Sequence, residues 1–282
     1  MNYGIALSGG GVKGAAHIGV LKALEEKNIK ISYVAGTSSG SIVATLYSAG
    51  YTPDEIYLIF KNNCKKIKYI NFPNIFKLIK ETITLKTIKI DGLNNGKNIN
   101  KLINKICNKK NIYNISEIKK PLIIPSVDLN TGEVICFTSK NIRSFSDKTL
   151  ITNNCNIGKA VEASCSFPGV FSPCRYKNRL LIDGGVRENT PWREAKLLGA
   201  DKVISVVFET EINNTCCDNL FDVVVRSLEL KNRELEKYEI NGSDFIIPIK
   251  SKKTSLLDMS KIDEFYNLGY FSAKKFLEKN KL

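Results

Sequence analysis

Residues 3–14 read Tyr-Gly-Ile-Ala-Leu-Ser-Gly-Gly-Gly-Val-Lys-Gly, and this stretch decides the fold class. Residues 3–8 have the character of a short buried strand, and residues 15–27 carry apolar side chains at helical spacing. The glycines between them therefore connect a strand to a helix. Further strand candidates alternate with helical segments at residues 33–35, 122–127, 134–137, 180–182 and 203–207. This alternation predicts an α/β fold, with a mainly parallel central sheet flanked by helices.

Composition narrows the class of protein. The chain has 282 residues, of which 43% are hydrophobic and 25% charged, so a disordered, collagen-like or polytopic membrane chain is excluded. We find no repeat and no low-complexity linker, and we expect one domain over residues 1–282. The longest uncharged run, residues 31–53, is rich in Ser, Thr and Gly and is not expected to span a membrane. Without a secretory signal, a cytoplasmic location with reduced thiols is expected.

Metal ligands are scarce in the sequence. The eight cysteines show no Cys-x-x-Cys spacing, and His17 is the only histidine. Because zinc sites need clustered Cys or His ligands, we expect neither a metal nor another cofactor.

The charge is strongly positive and unevenly distributed. Lys and Arg number 42 against 28 Asp and Glu, which gives +14 and favours anionic partners. Residues 51–120 hold 15 lysines and 5 acidic residues, and we interpret them as a basic helical insertion. It either packs an apolar stripe on the core or meets anionic lipid head groups. Nucleic acid is not expected, because no known module of basic and aromatic residues is present. The candidate membrane-interface residues are Phe72, Ile75, Phe76, Ile79, Lys77 and Lys80.

The glycine loop at residues 9–14 formally matches the Gly-x-Gly-x-x-Gly dinucleotide fingerprint. A Rossmann unit also needs an acidic residue at the end of its second strand, where this chain has residues 35–38, Ala-Gly-Thr-Ser. A Walker A loop is excluded, since Lys13 is followed by Gly14 instead of Ser or Thr. What remains is a set of backbone N–H groups directed at a negative charge, either a phosphate or a developing oxyanion.

A second motif, Gly-Thr-Ser-Ser-Gly at residues 36–40, is typical of a tight strand-to-helix turn that exposes the hydroxyl of Ser38. A nucleophilic serine needs a base, which in an α/β-hydrolase is a histidine that follows it in the chain. His17 precedes Ser38, and we expect it to be packed. A carboxylate is the more plausible base, and Asp183 follows the predicted strand at residues 180–182.

Five motifs in order resemble those of the patatin-like phospholipases. They are residues 9–14, 36–40, 128–132 (Asp-Leu-Asn-Thr-Gly), 162–173 and 183–185 (Asp-Gly-Gly). The resemblance implies a three-layer α/β sandwich and a Ser/Asp dyad with Ser38 as nucleophile and Asp183 as base. It places the oxyanion hole at Gly9, Gly10, Gly11 and Val12. Supporting motif positions are Lys13, Gly14, Gly36, Gly40, Gly184 and Gly185.

The resemblance also implies a function. We expect a serine-dependent acyl hydrolase that cleaves phospholipid or other lipid esters, peripheral to an anionic membrane surface. Two alternatives stay open, namely a catalytically silent lipid-binding protein and a nucleotide-binding regulatory protein. The part after about residue 201 matches less distinctly and is expected to be helical.

Overall fold

The computed structural model describes residues 1–63, 92–144, 146–210, 220–251, 254 and 258–280. Within these residues a nine-stranded sheet forms the centre of the fold. Seven strands follow one another across it in the order β11 (Phe245–Ser251), β10 (Lys202–Thr210), β1 (Tyr3–Leu7), β2 (Ile31–Gly36), β4 (Leu122–Asp128), β5 (Val134–Thr138) and β6 (Thr149–Thr152). Strand β9 (Arg179–Asp183) pairs with β4, and β8 (Cys174–Tyr176) pairs with β9. A separate two-stranded sheet joins β3 (Gly92–Asn94) to β7 (Gly169–Phe171).

Most strand pairs of the central sheet are parallel, and the predicted α/β fold is confirmed. The pairs of β11 with β10, β10 with β1, β1 with β2, β2 with β4 and β5 with β6 are parallel. The pairs of β4 with β5, β4 with β9 and β8 with β9 are antiparallel.

Helices cover the two faces of the sheet. They are α1 (Ala15–Glu26), α2 (Ser39–Ser48), α3 (Pro53–Asn63), α4 (Lys97–Cys107), α5 (Ile157–Ser164), α6 (Trp192–Leu197), α7 (Leu220–Glu239) and α8 (Ile262–Lys279). Successive strand residues point to opposite faces. Ile5 and Leu7 accordingly join the larger core with α1, α2 and α8, while Ala6 joins a smaller core with Ala195 of α6. The sheet and its two helical layers form a three-layer sandwich.

Strand β4 carries a different partner along each half of one edge. Its first residues pair with the end of β2, with Ala35 opposite Ile123, and its last residues pair with β9, with Asp183 opposite Ser126. Because β2 is parallel to β4 and β9 is antiparallel, the carboxyl ends of β2 and β9 meet head-on. The end of β9 therefore lies beside the turn that follows β2.

The expectation of a helical part after about residue 201 is incomplete, because β10 and β11 extend the central sheet there. Strand β10 contains the strand candidate at residues 203–207, whereas β11 has no counterpart among the predicted strands. Strand β11 contains Pro248, which lacks the backbone N–H that a central strand would use for pairing. It lies at the end of the strand order, and an edge position tolerates proline. No helix among the described residues is both long and apolar enough to cross a membrane.

Candidate active site

Ser38 occupies a strained turn between β2 and α2. Its φ angle is 51°, in the left-handed region that non-glycine residues rarely adopt, and this costs roughly 1–3 kcal/mol. The neighbouring glycines make the turn possible, since a Cβ at Gly36 would lie 2.5 Å from the Gly40 carbonyl oxygen. Ser164 stabilises the turn, because its Oγ accepts a hydrogen bond from the Ser38 N–H at 3.0 Å. The turn thus directs the Ser38 side chain away from the backbone of β2 and α2.

Asp183 ends β9 and is buried, with 1% of its surface exposed. Its Oδ1 accepts a hydrogen bond from the Gly185 N–H at 2.8 Å, and its Oδ2 has no hydrogen-bond partner among the described residues. Gly184 lets the turn approach the sheet closely, since a Cβ there would lie 2.5 Å from the Pro125 carbonyl oxygen and 3.1 Å from Thr37 Cγ2. The turn after β9 is therefore packed directly against the turn after β2.

The environment of Asp183 makes it a stronger base than an ordinary carboxylate. Burial raises the pKa of Asp183 to about 7, against the smaller opposing effects of the Ser38 side chain and the Gly185 N–H. A carboxylate with a pKa near neutrality accepts a proton readily and still ionises near neutral pH. The structure brings the two candidate catalytic residues together, as the resemblance implies.

The glycine loop lies against Ser38. A Cβ at Gly9 would lie 3.1 Å from Ser38 Cβ, and a Cβ at Gly10 would lie 2.8 Å from the Phe208 ring. Gly11 has a φ of 59°, which favours glycine. A side chain at Gly9 would therefore crowd Ser38, and one at Gly10 would collide with Phe208.

The amides of Gly10, Gly11 and Val12 are suited to bind an oxyanion. They lie at the start of a short 3-10 helix that continues into α1, and they donate no hydrogen bond within the described part of the chain. The structure gives Gly9 another part, because its N–H donates to the carbonyl oxygen and to the Oδ1 of Asn189, at 3.3 and 3.1 Å. Three of the four predicted oxyanion donors thus have amides open to a ligand.

Lys13 and Gly14 support the loop. Lys13 is largely buried, and its Nζ lies 6.0 Å from the centre of the Phe208 ring. A Cβ at Gly14 would lie 2.8 Å from Ser39 Cβ, so glycine allows the loop to touch the start of α2.

His17 is packed within the core and is unsuited to act as a base. It is fully buried, its Nε2 lies 2.8 Å from the Ser8 carbonyl oxygen, and its ring lies 4.9 Å from that of Phe208. Burial lowers the pKa of His17 to about 4, so the ring is neutral at physiological pH. A neutral imidazole carries only one N–H group. Because Nε2 must donate to the Ser8 carbonyl oxygen, the proton of the His17 ring is on Nε2.

A mostly apolar cavity of about 250 Å³ adjoins the candidate site. Ser38, Asp183 and the glycine loop contribute to its wall, and α7 adds the side chains of Arg226 and Arg233. Much of its apolar lining comes from α2, α3, α4 and α8, with Ile42, Leu46, Ile59, Phe60, Ile99, Leu102, Ile103, Ile106 and Ile262. Such a cavity suits an alkyl chain whose reactive group lies next to Ser38.

The sequence that forms this site matches a known protein family. The model of the family described as patatin-like phospholipase matches residues 5–196. The chain belongs to this family. The matched residues include the glycine loop, the Ser38 turn and the Asp183 turn of the patatin-like site.

Several relatives share this patatin-like sequence. The probable lipid hydrolase 463L of Invertebrate iridescent virus 6 is 30% identical over 66% of this chain and 61% of its own length. Lysophospholipase NTE1 of Meyerozyma guilliermondii is 27% identical over 96% of this chain and 19% of its own. The chain therefore spans about three fifths of the viral relative and about a fifth of the yeast protein.

Among solved structures, VipD from Legionella pneumophila matches with a TM-score of 0.53 and 16% identity, over 99% of this chain and 67% of that chain. At this identity the likeness shows the fold alone.

Sequence reasoning missed the residues that hold the two turns in place. The side chain of Ser164 accepts a hydrogen bond from the Ser38 N–H, and the side chain of Asn189 accepts one from the Gly9 N–H, so each fixes the backbone of a distant turn. Ser164 lies in one of the recognised motifs, but a lone polar residue gives no periodic signal. The candidate membrane-interface residues Phe72, Ile75, Phe76, Ile79, Lys77 and Lys80 lie outside the described residues.

We expect Asp183→Asn to stabilise the protein at neutral pH. Between pH 4 and 7 the native Asp183 keeps a proton that the unfolded chain has lost, so its contribution to the free energy of unfolding falls as pH rises. Asn is neutral throughout. The variant should exceed the wild type by up to about 4 kcal/mol at about pH 8 and by little at about pH 4, as measured by urea denaturation. Asp147→Asn, at an exposed position, is the control. A gain that does not change with pH would contradict the assignment of a raised pKa.

Proposed function

We propose that this chain is a serine lipid acyl hydrolase that cleaves fatty-acyl esters through Ser38 and Asp183. The observation that carries the proposal is the head-on meeting of β2 and β9, which sets the strained Ser38 turn beside a buried carboxyl whose pKa is raised to about 7. A silent protein has no need to hold a serine at a φ of 51° next to an unsatisfied carboxylate oxygen.

In the first half of the reaction Asp183 accepts the Ser38 hydroxyl proton while Oγ attacks the ester carbonyl carbon. The carbonyl oxygen becomes an oxyanion and accepts hydrogen bonds from the amides of Gly10, Gly11 and Val12. The C–O bond to the alcohol then breaks, and the leaving alcohol takes the proton from Asp183. Each oxyanion donor of this kind contributes about 3–4 kcal/mol to lowering the barrier. The acyl group is left on Ser38.

In the second half water repeats the sequence. Asp183 accepts a proton from a water molecule while the water oxygen attacks the carbonyl carbon of the acyl-enzyme. The amides of the glycine loop stabilise this second oxyanion as they did the first. The bond to Ser38 Oγ breaks, Ser38 recovers its proton, and the fatty acid departs. One carboxylate therefore serves both steps, and no histidine is involved.

The apolar cavity supports a lipid substrate. Its wall is built mainly from aliphatic side chains of α2, α3, α4 and α8, which would bind the acyl chain by burying its methylene groups. The names lipid hydrolase and lysophospholipase carried by two relatives agree with such a substrate. We include an anionic membrane surface as partner in the proposal, supported by the net charge of +14. The proposal also keeps the cytoplasmic location expected from the sequence.

A fluorophosphonate probe tests the nucleophile. We expect mass spectrometry to locate the adduct on Ser38, and we expect Ser38→Ala to lose both labelling and ester hydrolysis. Ser48→Ala is the matched control, because Ser48 is a buried serine at the other end of α2 with no hydrogen bond to its Oγ among the described residues. Folded wild-type protein that is not labelled would instead favour a silent lipid-binding or nucleotide-binding protein.

Substitution in the cavity tests the acyl-binding assignment. We expect Leu102→Trp to lower kcat/KM for long-chain p-nitrophenyl esters by about tenfold or more and to leave short-chain esters nearly unchanged, because the larger ring fills the space of several methylene groups. Leu58→Trp, on the exposed face of α3, should not alter chain-length preference. An equal loss for short and long esters would show that the alkyl chain binds elsewhere.

A further inference from the structure

Glu236 connects helix α7 to the candidate site, although it lies 40 residues beyond the stretch that matches the family. Its Oε1 accepts hydrogen bonds from Asn189 Nδ2 at 3.3 Å and from Thr190 Oγ1 at 3.0 Å. It also lines the cavity that Ser38 and Asp183 line. Its neighbours Glu234 and Leu235 are exposed, so Glu236 is a specific point of contact between α7 and the turn after Asp183.

Asn189 occupies the space between two parts of the site. Its Oδ1 accepts the Gly9 N–H at 3.1 Å, and the same oxygen lies 2.7 Å from where a Cβ on Gly9 would be. A Cβ on Gly185 would lie 3.0 Å from this oxygen. Asn189 thus contacts the glycine loop on one side and the Asp183 turn on the other.

The two ends of the Asn189 amide require opposite partners. The Gly9 N–H donates to the Asn189 Oδ1 as well as to the Asn189 carbonyl oxygen, and with Oδ1 on that side the Nδ2 group faces α7. A carboxylate accepts hydrogen bonds and donates none when ionised, and Glu236 therefore selects this orientation of the amide. A residue that could also donate would allow Asn189 to turn over, and two N–H groups would then face each other at Gly9.

Two hydrogen bonds and one positive charge favour the ionised form of Glu236. Burial is the larger effect and raises the pKa of Glu236 on balance, while the hydrogen bonds from Thr190 and Asn189 and the positive charge of Lys13 act in the opposite direction. Glu209 is the other acidic group that acts on it. Lys13 belongs to the glycine loop. The loop and Glu236 therefore also interact through the opposite charges of Lys13 and Glu236.

We propose that Glu236 is a positioning residue of the site: it orients the Asn189 amide, and through Asn189 it holds the glycine loop beside Ser38. This inference rests on the proposed function, because the loop is taken to supply the oxyanion donors. Helix α7, outside the matched family region, then completes the active site.

The inference is tested by exchanging the hydrogen-bond donor and acceptor between Asn189 and Glu236. In Glu236→Gln the amide of Asn189 is no longer oriented, and we expect kcat for a p-nitrophenyl ester to fall about 10- to 100-fold with KM changed much less. Asn189→Asp places two carboxylates together and should lose at least as much. In the double variant the introduced glutamine amide can donate to the introduced aspartate carboxylate, which still accepts from the Gly9 N–H. We therefore expect kcat of the double variant to recover about tenfold or more over Asn189→Asp.

Glu234→Gln is the matched control, since Glu234 is an exposed residue of α7 that pairs with Lys237 on the surface. Its kcat and KM should equal those of the wild type. Losses that simply multiply in the double variant, or a Glu236→Gln variant with wild-type kcat, would overturn the positioning role.

Hydrogen exchange separates this inference from the proposed function. The backbone amides of Gly9 and Lys13, which donate hydrogen bonds in the glycine loop, should exchange faster in Glu236→Gln than in the wild type and in Glu234→Gln, and should regain protection in the double variant. This readout needs no turnover. If the wild type shows no hydrolysis or labelling, the proposed function fails while the exchange result still decides whether Glu236 holds the loop. Unchanged exchange in Glu236→Gln would contradict the inference even in an active enzyme.

Discussion

The edge of β4 that β2 and β9 share is the constraint on which the site depends. β2 pairs with Leu122 and Ile123, and β9 pairs with the residues from Ser126 onward. Pro125, which has no N–H to donate, lies between the two paired segments. Because the strands run toward each other, their carboxyl ends are brought together across only a short gap. Two turns that are 145 residues apart in sequence thus form one site, and neither turn needs to be long.

The arrangement sacrifices stability for reactivity at both turns. Ser38 sits at a strained φ, and Asp183 is buried where its ionised form is disfavoured. The rest of the fold tolerates these costs because the turns are packed on a sheet with a large core on one face and a smaller core on the other. Burial of the carboxyl and strain in the serine turn are the features on which the proposed Ser38/Asp183 mechanism rests.

Much of this could be predicted from the sequence, because the elements concerned have local signals. The strand and the helix within residues 3–27 follow from apolar periodicity, and the glycines between them mark the loop. The antiparallel direction of β9 has no such signal, since pairing direction depends on distant strands. The role of Glu236 could not be predicted either, because it depends on a single contact between its carboxylate and the Asn189 amide. The sequence around Glu236 shows only an amphipathic helix.

The pH dependence of kcat/KM for ester hydrolysis tests the central claim most directly, namely that Asp183 is the base for Ser38. The rate should rise with pH and be half-maximal near the pKa of Asp183, at about 7, because only the ionised carboxyl can accept the serine proton. The rise should disappear in Asp183→Asn together with nearly all of the activity, while His17→Gln keeps the rise. A profile that is flat between about pH 5 and pH 9, or an Asp183→Asn variant that keeps the wild-type profile, would contradict the account.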